Sequence, residues 1–118
     1  MLPSRIRLIL QAEGAALAAF AIWFYAGTEA GWWMFVLLIL APDLAMVGYL
    51  RGPALGAQLY NAAHTTLAPA ILFAVGWLAG WAWTLPVALI WAAHIGIDRA
   101  IGYGLKDVTA FKRTHLSP

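Results

Sequence analysis

The chain has 118 residues, of which 64% are apolar and only 10% are charged, and its formal net charge is +2. This composition excludes an ordinary soluble globular domain, in which about a quarter of the residues are charged. The small basic excess gives no reason to expect a nucleic-acid partner, and the lack of cysteine excludes disulfides, thiolate metal sites and a cysteine nucleophile.

Four apolar segments follow one another, each close to the length of about 20 residues that a helix needs to cross a bilayer. We predict helices over residues 6–25, 32–50, 59–80 and 83–102, followed by an amphipathic cytoplasmic tail over residues 103–118. The first segment starts like a signal peptide, but its length, its Glu13 and the lack of a small-residue cleavage site favour a retained helix. The predicted fold is all-α: a single membrane domain in which four transmembrane helices form a compact bundle.

The basic residues of the predicted bundle all fall on one side of the membrane. With four spans, that side carries Arg5, Arg7, Arg51, Arg99, Lys106, Lys112 and Arg113. The loops on the opposite side contain a single charged residue, Glu29. Because basic loops stay in the cytoplasm, we predict a multi-pass protein of the cytoplasmic membrane with both termini in the cytoplasm.

Ionisable residues inside apolar helices are costly and usually functional. This chain places Glu13, Asp43, His64, His94 and Asp98 in such segments. At about 1.5 Å of rise per residue, all of them fall in one layer near the cytoplasmic boundary. His94 and Asp98 are also spaced so that both side chains leave the same face of the fourth helix. The sequence therefore predicts an intramembrane polar site close to the cytoplasm.

Imidazoles and carboxylates together form a typical ligand set for zinc, manganese or iron. We predict a divalent metal ion, zinc before manganese or iron, bound by Asp43, His64, His94 and Asp98. Glu13 or Asp98 is the expected general base. The residues expected to lie around the ligands or against a substrate are Tyr60, Asn61, Tyr103 and His115. Two alternatives remain: these groups form buried hydrogen-bonded pairs that only fix the packing of the helices, or His94 and Asp98 form a proton relay.

Prolines are expected to shape the surroundings of this site. Pro42 directly precedes Asp43, and Pro69 is expected to release the carbonyl of Thr65. Freed backbone groups are tolerated in a membrane where they are buried in protein or line a polar cavity. The small residues that would let helices approach closely include Gly14, Gly48 and Gly96.

The most specific pattern lies near the C-terminus, where residues 94–106 read HIGIDRAIGYGLK and are followed by Phe111 and Thr114-His115-Leu116. Further motifs are Pro42-Asp43 with Gly48-Tyr49, and Tyr60-Asn61 with His64. Together they resemble a family of small bacterial integral membrane proteins known only as a domain of unknown function. The resemblance covers essentially the whole chain. It implies a four-helix protein of the bacterial inner membrane and brings no activity with it.

Three functions compete. The leading hypothesis is a membrane-embedded, metal-dependent enzyme of hydrolase type that acts on a lipid or amphiphile from the cytoplasmic leaflet. The second is a proton-coupled transporter, because a four-span chain with Glu13 in its first helix resembles the small multidrug-resistance transporters. The third is a structural subunit of a larger membrane complex. The expected partners are the bilayer, a lipid or amphiphilic substrate and, since four short helices bury little surface, a second copy of the chain.

Overall fold

Helices make up most of the described chain. A computed structural model describes residues 4–44, 52–102, 106–107 and 110–114. The helices in chain order are α1 (Ser4–Ala26), α2 (Trp32–Leu38), α3 (Pro53–His64), α4 (Leu67–Ala79) and α5 (Thr84–Ala100). Two short strands follow, β1 (Lys106–Asp107) and β2 (Ala110–Thr114). The prediction of a helical protein is confirmed at this level.

Helix α5 packs against α1 along a stripe of small residues. The buried residues of α1 are Gly14, Ala18, Ala21 and Tyr25. Gly14 lies against Gly96 and Ala100, whereas Ala18 lies against Gly96, so the two helices run in opposite directions. A side chain at Gly96 would come within 2.6 Å of backbone atoms of α1. The close approach of the two backbones therefore depends on glycine, as it does in many membrane helix pairs.

The second predicted span ends early because of Pro42. Helix α2 stops at Leu38, and a short 3₁₀ turn follows. Proline has no N–H to donate to the carbonyl of Leu38, and its ring would clash with that carbonyl in a continuing α-helix. The N–H of Asp43 bonds instead to the carbonyl of Leu40, at 3.0 Å. The predicted helix over 32–50 is therefore confirmed over Trp32–Leu38 and wrong over residues 39–44, and the rest of it lies outside the described residues.

The third predicted span is broken in the structure. Helix α3 starts earlier than expected, and its axis is bent by 50° from that of α4. Thr65, between them, has an extended backbone conformation, and Pro69 lies in the first turn of α4, where its missing N–H costs no hydrogen bond. The carbonyl of Thr65 is not freed as expected, because it accepts from the N–H of Ala68 at 3.1 Å. The prediction of one helix over 59–80 is therefore wrong.

The chain returns to the helices after α5. Gly102 has a positive φ of 101° just past the helix end, a backbone conformation that favours glycine. Strands β1 and β2 pair antiparallel, with Lys106 opposite Thr114, and their backbone lies against α3. The described part of the predicted tail over 103–118 is thus a β-hairpin that lies on the helices.

Large apolar side chains cover much of the surface. Trp77 is 75% exposed and Leu78 is 87% exposed. By length and composition α1 can cross a membrane, and α3 with α4 would form a second, bent span. Helix α5 has 17 residues, which corresponds to about 25 Å, less than the hydrocarbon thickness of about 30 Å. Among the described residues, the structure thus provides one span of the predicted four, or two with the bent pair.

Replacing Gly96 with alanine is expected to destabilise the protein, although alanine favours helices. The new methyl group would lie 2.6 Å from backbone atoms of Ala18 and Gly14. Overpacking costs about 1–3 kcal/mol, more than the gain of roughly 0.5–1 kcal/mol from Gly→Ala in a helix. The thermal unfolding midpoint in detergent, followed by circular dichroism, should fall. The control is Gly27→Ala, whose methyl group would meet no atom closer than 3.4 Å; equal midpoints would contradict the close packing.

Candidate metal centre

Two histidines and two aspartates converge where α3, α5 and the turn after α2 meet. The Nε2 atoms of His64 and His94 lie 3.0 Å apart. Asp43 Oδ1 lies 3.1 Å from His64 Nε2 and 3.0 Å from His94 Nε2. Asp98 Oδ2 lies 3.3 Å from His64 Nε2 and 3.1 Å from His94 Nε2. The structure therefore brings all four predicted metal ligands together.

The distances between these atoms are those expected of ligands around one ion. Ligand atoms at about 2.0 Å from a zinc ion stand about 3.3 Å apart at the corners of a tetrahedron and about 2.8 Å apart at those of an octahedron. The measured separations of 3.0–3.3 Å fall within this range. All four donor atoms lie within 4.8 Å of one another. The cluster could therefore hold a metal ion.

Hydrogen bonds within the cluster cannot satisfy all of these contacts. Each Nε2 faces the other Nε2 and both carboxylate oxygens at 3.0–3.3 Å, yet a ring nitrogen carries at most one hydrogen. The two carboxylates also bring like charges together in a partly buried space, which is costly without compensation. A divalent cation would contact all four donor atoms and balance both negative charges.

Backbone carbonyls fix the tautomer of both histidines. His64 Nδ1 donates a hydrogen bond to the carbonyl of Tyr60 at 2.9 Å, and His94 Nδ1 donates one to the carbonyl of Ile39. Because a carbonyl only accepts, Nδ1 carries the hydrogen, and in the neutral ring Nε2 presents its lone pair to the cluster. Metal-binding histidines typically make this outer hydrogen bond, which orients the ring and raises its basicity.

The acceptor for His94 exists because Pro42 interrupts α2. In an uninterrupted helix the carbonyl of Ile39 would accept from the N–H of Asp43, four residues later. In the structure that N–H bonds to the carbonyl of Leu40. The carbonyl of Ile39 is therefore left for the imidazole of His94. One proline ends the helix, places Asp43 in the turn and orients a histidine of another helix.

His64 is positioned by the end of α3 and by aromatic contacts. Its ring stacks on that of Tyr60, with centroids 3.7 Å apart and planes at 7°. Trp91 donates its indole N–H to the carbonyl of Ala63, one of the last carbonyls of α3, which have no partner inside the helix. These contacts fix the last turn of α3 against α5, and they place the predicted residue Tyr60 directly against a ligand.

Access to the cluster is from the side of Asp43. The side chains of His64 and His94 are each 4% exposed, whereas that of Asp98 is 17% exposed and that of Asp43 is 34% exposed. The imidazoles are thus shielded from the surroundings, and Asp43 is the member of the cluster that the surroundings reach most.

The structure separates Glu13 from the other predicted site residues. Gly14, its neighbour, packs on Gly96. Gly96 is two residues, or about 200° of helix, from both His94 and Asp98. Helix α1 therefore covers the face of α5 opposite the cluster, and Glu13 is exposed on α1. The expectation that Glu13 is a general base at this site does not fit this placement.

Of the residues expected around the ligands, Asn61 lies half-buried on α3, one turn before the end of that helix. The other two, Tyr103 and His115, lie outside the described residues. Their expected proximity to the metal centre therefore stays a prediction.

Two contributors to the site were not predicted from the sequence. The sequence could have indicated Trp91, because it lies three residues before His94 and so shares a face of α5 with it. The sequence could not have indicated the carbonyl of Ile39, because any residue type supplies a main-chain carbonyl. Only the interruption at Pro42 points to a free acceptor in that region.

The fold and the cluster define a helical protein with a buried His/Asp site able to hold a metal ion. A family model described as a domain of unknown function, DUF4260, matches residues 7–118, and the chain belongs to this family. The resemblance inferred from the motifs is thereby confirmed at the level of the family. No curated protein and no solved structure matches the chain.

Replacing Pro42 with alanine is expected to weaken metal binding without removing a ligand. With an N–H at this position α2 can continue, the N–H of Asp43 can reach the carbonyl of Ile39, and His94 loses its acceptor. Loss of such an outer hydrogen bond typically lowers metal affinity about 10–100-fold. The measurement is a competition for zinc with a chromophoric chelator.

The matched control is Pro86→Ala, because Pro86 lies in the first turn of α5, far along the helix from His94. This variant should keep the parental affinity. If Pro42→Ala bound zinc as tightly as the parent, the carbonyl of Ile39 would have no role in orienting His94.

Proposed function

We propose that this protein is a membrane-embedded, metal-dependent hydrolase that acts on a lipid or another amphiphile at the cytoplasmic leaflet. The observation that carries the proposal is the convergence of two imidazoles and two carboxylates on one point. A hydrolytic metal site needs such ligands together with an open side for water and substrate. The exposed part of Asp43 provides that side.

The distribution of polarity supports a membrane location. His64, Thr84 and His94 are buried, whereas large apolar side chains such as those of Trp77 and Leu78 are exposed. Soluble monomers rarely expose contiguous apolar patches larger than a few hundred Å². This arrangement suits lipid surroundings. The four spans of the proposal are α1, the segment that begins with α2, the bent pair of α3 and α4, and α5, with both termini in the cytoplasm.

The position of each ligand suggests its role. The shielded imidazoles of His64 and His94 bind the ion and keep their side of it dry. Asp43, the most exposed member of the cluster, completes the binding set. Asp98 lies 3.1 Å from His94 Nε2. As a fourth ligand it would close a tetrahedral site, so in a hydrolytic site it would instead accept a proton from the water molecule. When bound, a divalent cation supplies the Lewis acidity that activates water and polarises the scissile bond.

The donor set suggests which metals fit. Two imidazole nitrogens and two carboxylate oxygens suit zinc, manganese and iron. Separations of 3.0–3.3 Å between these donor atoms lie between the octahedral and the tetrahedral values, so the distances do not select one metal. Zinc is the first metal of the proposal because two histidines and a carboxylate with an open position form a known ligand set of catalytic zinc sites.

Two competing functions leave the cluster unexplained. A proton-coupled transporter centred on Glu13 would not require four donor atoms to meet on the far side of α5. A purely structural role would rest on interhelical polar bonds, which average about 0.6 kcal/mol in one measured membrane protein. Such bonds do not offset the free-energy cost of burying two carboxylates, whose insertion at a helix centre costs about 2.5–3.5 kcal/mol each when ionised.

Purified protein is expected to retain about one zinc, manganese or iron ion per chain, because all four donors are preassembled. His64→Ala, His94→Ala and Asp43→Asn should each lose it, and Glu29→Gln should keep it. The measurement is elemental analysis of detergent-purified protein prepared without a nickel column. A folded parent that stays metal-free after resupply with each ion would contradict the metal centre.

Hydrolysis should depend on Asp98 and not on Glu13. Zinc-loaded parent and Glu13→Gln are expected to cleave p-nitrophenyl esters or phosphodiesters at equal rates, because Glu13 lies away from the cluster. Asp98→Asn should lose at least about 100-fold of the rate, the low end of a general-base contribution, while zinc bound at saturating concentration is still detected. Loss of cleavage in Glu13→Gln alone would instead favour a function centred on α1.

A further inference from the structure

An apolar groove begins beside the metal centre. It has a volume of about 260 Å³ and is lined by residues that include Leu38, Pro42, Ala63, Val87, Ile90 and Trp91. The elements that supply the metal ligands also supply this lining: Pro42 precedes Asp43, and Ala63 precedes His64. On α5, Val87, Trp91, His94 and Asp98 form one stripe along a single face. The groove therefore lies next to the metal centre, although none of the four candidate ligands is among the residues that line it.

The groove walls offer no hydrogen-bonding side chain to an occupant. The lining side chains are apolar except for the indole N–H of Trp91, and that N–H is bonded to the carbonyl of Ala63. Burial of methylene groups is the favourable interaction that such walls provide. The volume of about 260 Å³ lies below the range of about 300–1,000 Å³ typical of pockets that enclose drug-sized ligands. It suits one unbranched chain better than a helix of a second copy.

The direction of the groove matches the direction of a lipid. Along α5 the lining of the groove runs from Trp91 back to Val87, away from His94. In the proposed orientation that direction leads from the cytoplasmic boundary into the bilayer. A lipid of the cytoplasmic leaflet has its polar group at that boundary and its tail pointing inwards. The polar group of such a lipid would then lie at the metal centre, and its tail would lie in the groove.

We propose that the groove holds the hydrocarbon tail of the substrate, so that this protein selects amphiphiles with one unbranched alkyl or acyl chain attached next to the metal-binding polar group. This proposal rests on the proposed metal-dependent function and adds the substrate class to it. Counted from water, each methylene that enters the groove should strengthen binding about fourfold. The bilayer offers a tail a similar gain, so the part of the chain-length preference that belongs to the protein is the part that is lost when the groove is blocked.

The test uses cobalt-substituted full-length protein in lipid nanodiscs, with acetohydroxamate and octanohydroxamate as probes. Both carry the same metal-binding head, and binding is read from the change in the visible spectrum of cobalt. Ala63→Phe fills the groove, while Ala62→Phe adds the same ring to the neighbouring exposed position. Ala63→Phe should lose at least tenfold of the affinity for octanohydroxamate and keep that for acetohydroxamate, whereas Ala62→Phe should bind both as the parent does.

A second pair of variants tests the same proposal if the Ala63→Phe protein does not fold. Val87→Trp narrows the groove from α5, and Val75→Trp places the same side chain at a position that is 47% exposed on α4. Val87→Trp should reproduce the selective loss, and Val75→Trp should not.

Three results would overturn the proposal in different ways. If all variants preferred octanohydroxamate as the parent does, the preference would come from the bilayer, and the metal centre would stand without the groove. If the parent were dimeric by light scattering and the groove variants monomeric, a second copy would be the occupant. If the parent bound no cobalt, the proposed function would fail and this inference with it.

Discussion

The crowding of four electron-rich atoms at one point is the constraint on which the site depends. Two imidazole nitrogens and two carboxylate oxygens approach to 3.0–3.3 Å, and one hydrogen per ring cannot bridge all of those contacts. The groups come from places far apart in the chain, since His64 and His94 lie 21 and 51 residues from Asp43. A cation at their centre would tie three elements together, so the free energy of metal binding would become part of the free energy of folding.

Interrupted helices make this convergence feasible. In a regular helix the carbonyls accept hydrogen bonds from N–H groups of the same helix. The break at Pro42 leaves the carbonyl of Ile39 to accept a hydrogen bond from His94 instead. The break after α3 leaves the carbonyl of Ala63 to accept from Trp91. A main-chain carbonyl that a break leaves without a partner inside its helix needs another donor where it is buried. In this chain the donors are the imidazole of His94 and the indole of Trp91, so side chains at the candidate site compensate for both breaks.

The convergence of the four groups was foreseeable because ionisable residues stand out in apolar segments, and the rise per residue gave them a common expected depth. Depth says nothing about direction around a helix axis. It therefore could not show that α1, which carries Glu13, packs on the face of α5 opposite His94 and Asp98. The break after His64 was not predictable, because Pro69 is equally compatible with a kinked continuous helix and with the first turn of a new one. The acceptor for His94 was not predictable either, because Ile39 contributes only its main chain.

Helix α5 packs against α1 with one face and carries the candidate metal ligands on the opposite face. One face carries Gly96, which lets α1 approach to backbone contact. The opposite face carries His94 and Asp98 and continues into the groove at Trp91. Because α1 packs on the first face, the turn after α2 and the end of α3 meet α5 on the second face. A chain of 118 residues can therefore shield two imidazoles with few helices, and the side on which it leaves them accessible is the side where carboxylates and an apolar groove lie together.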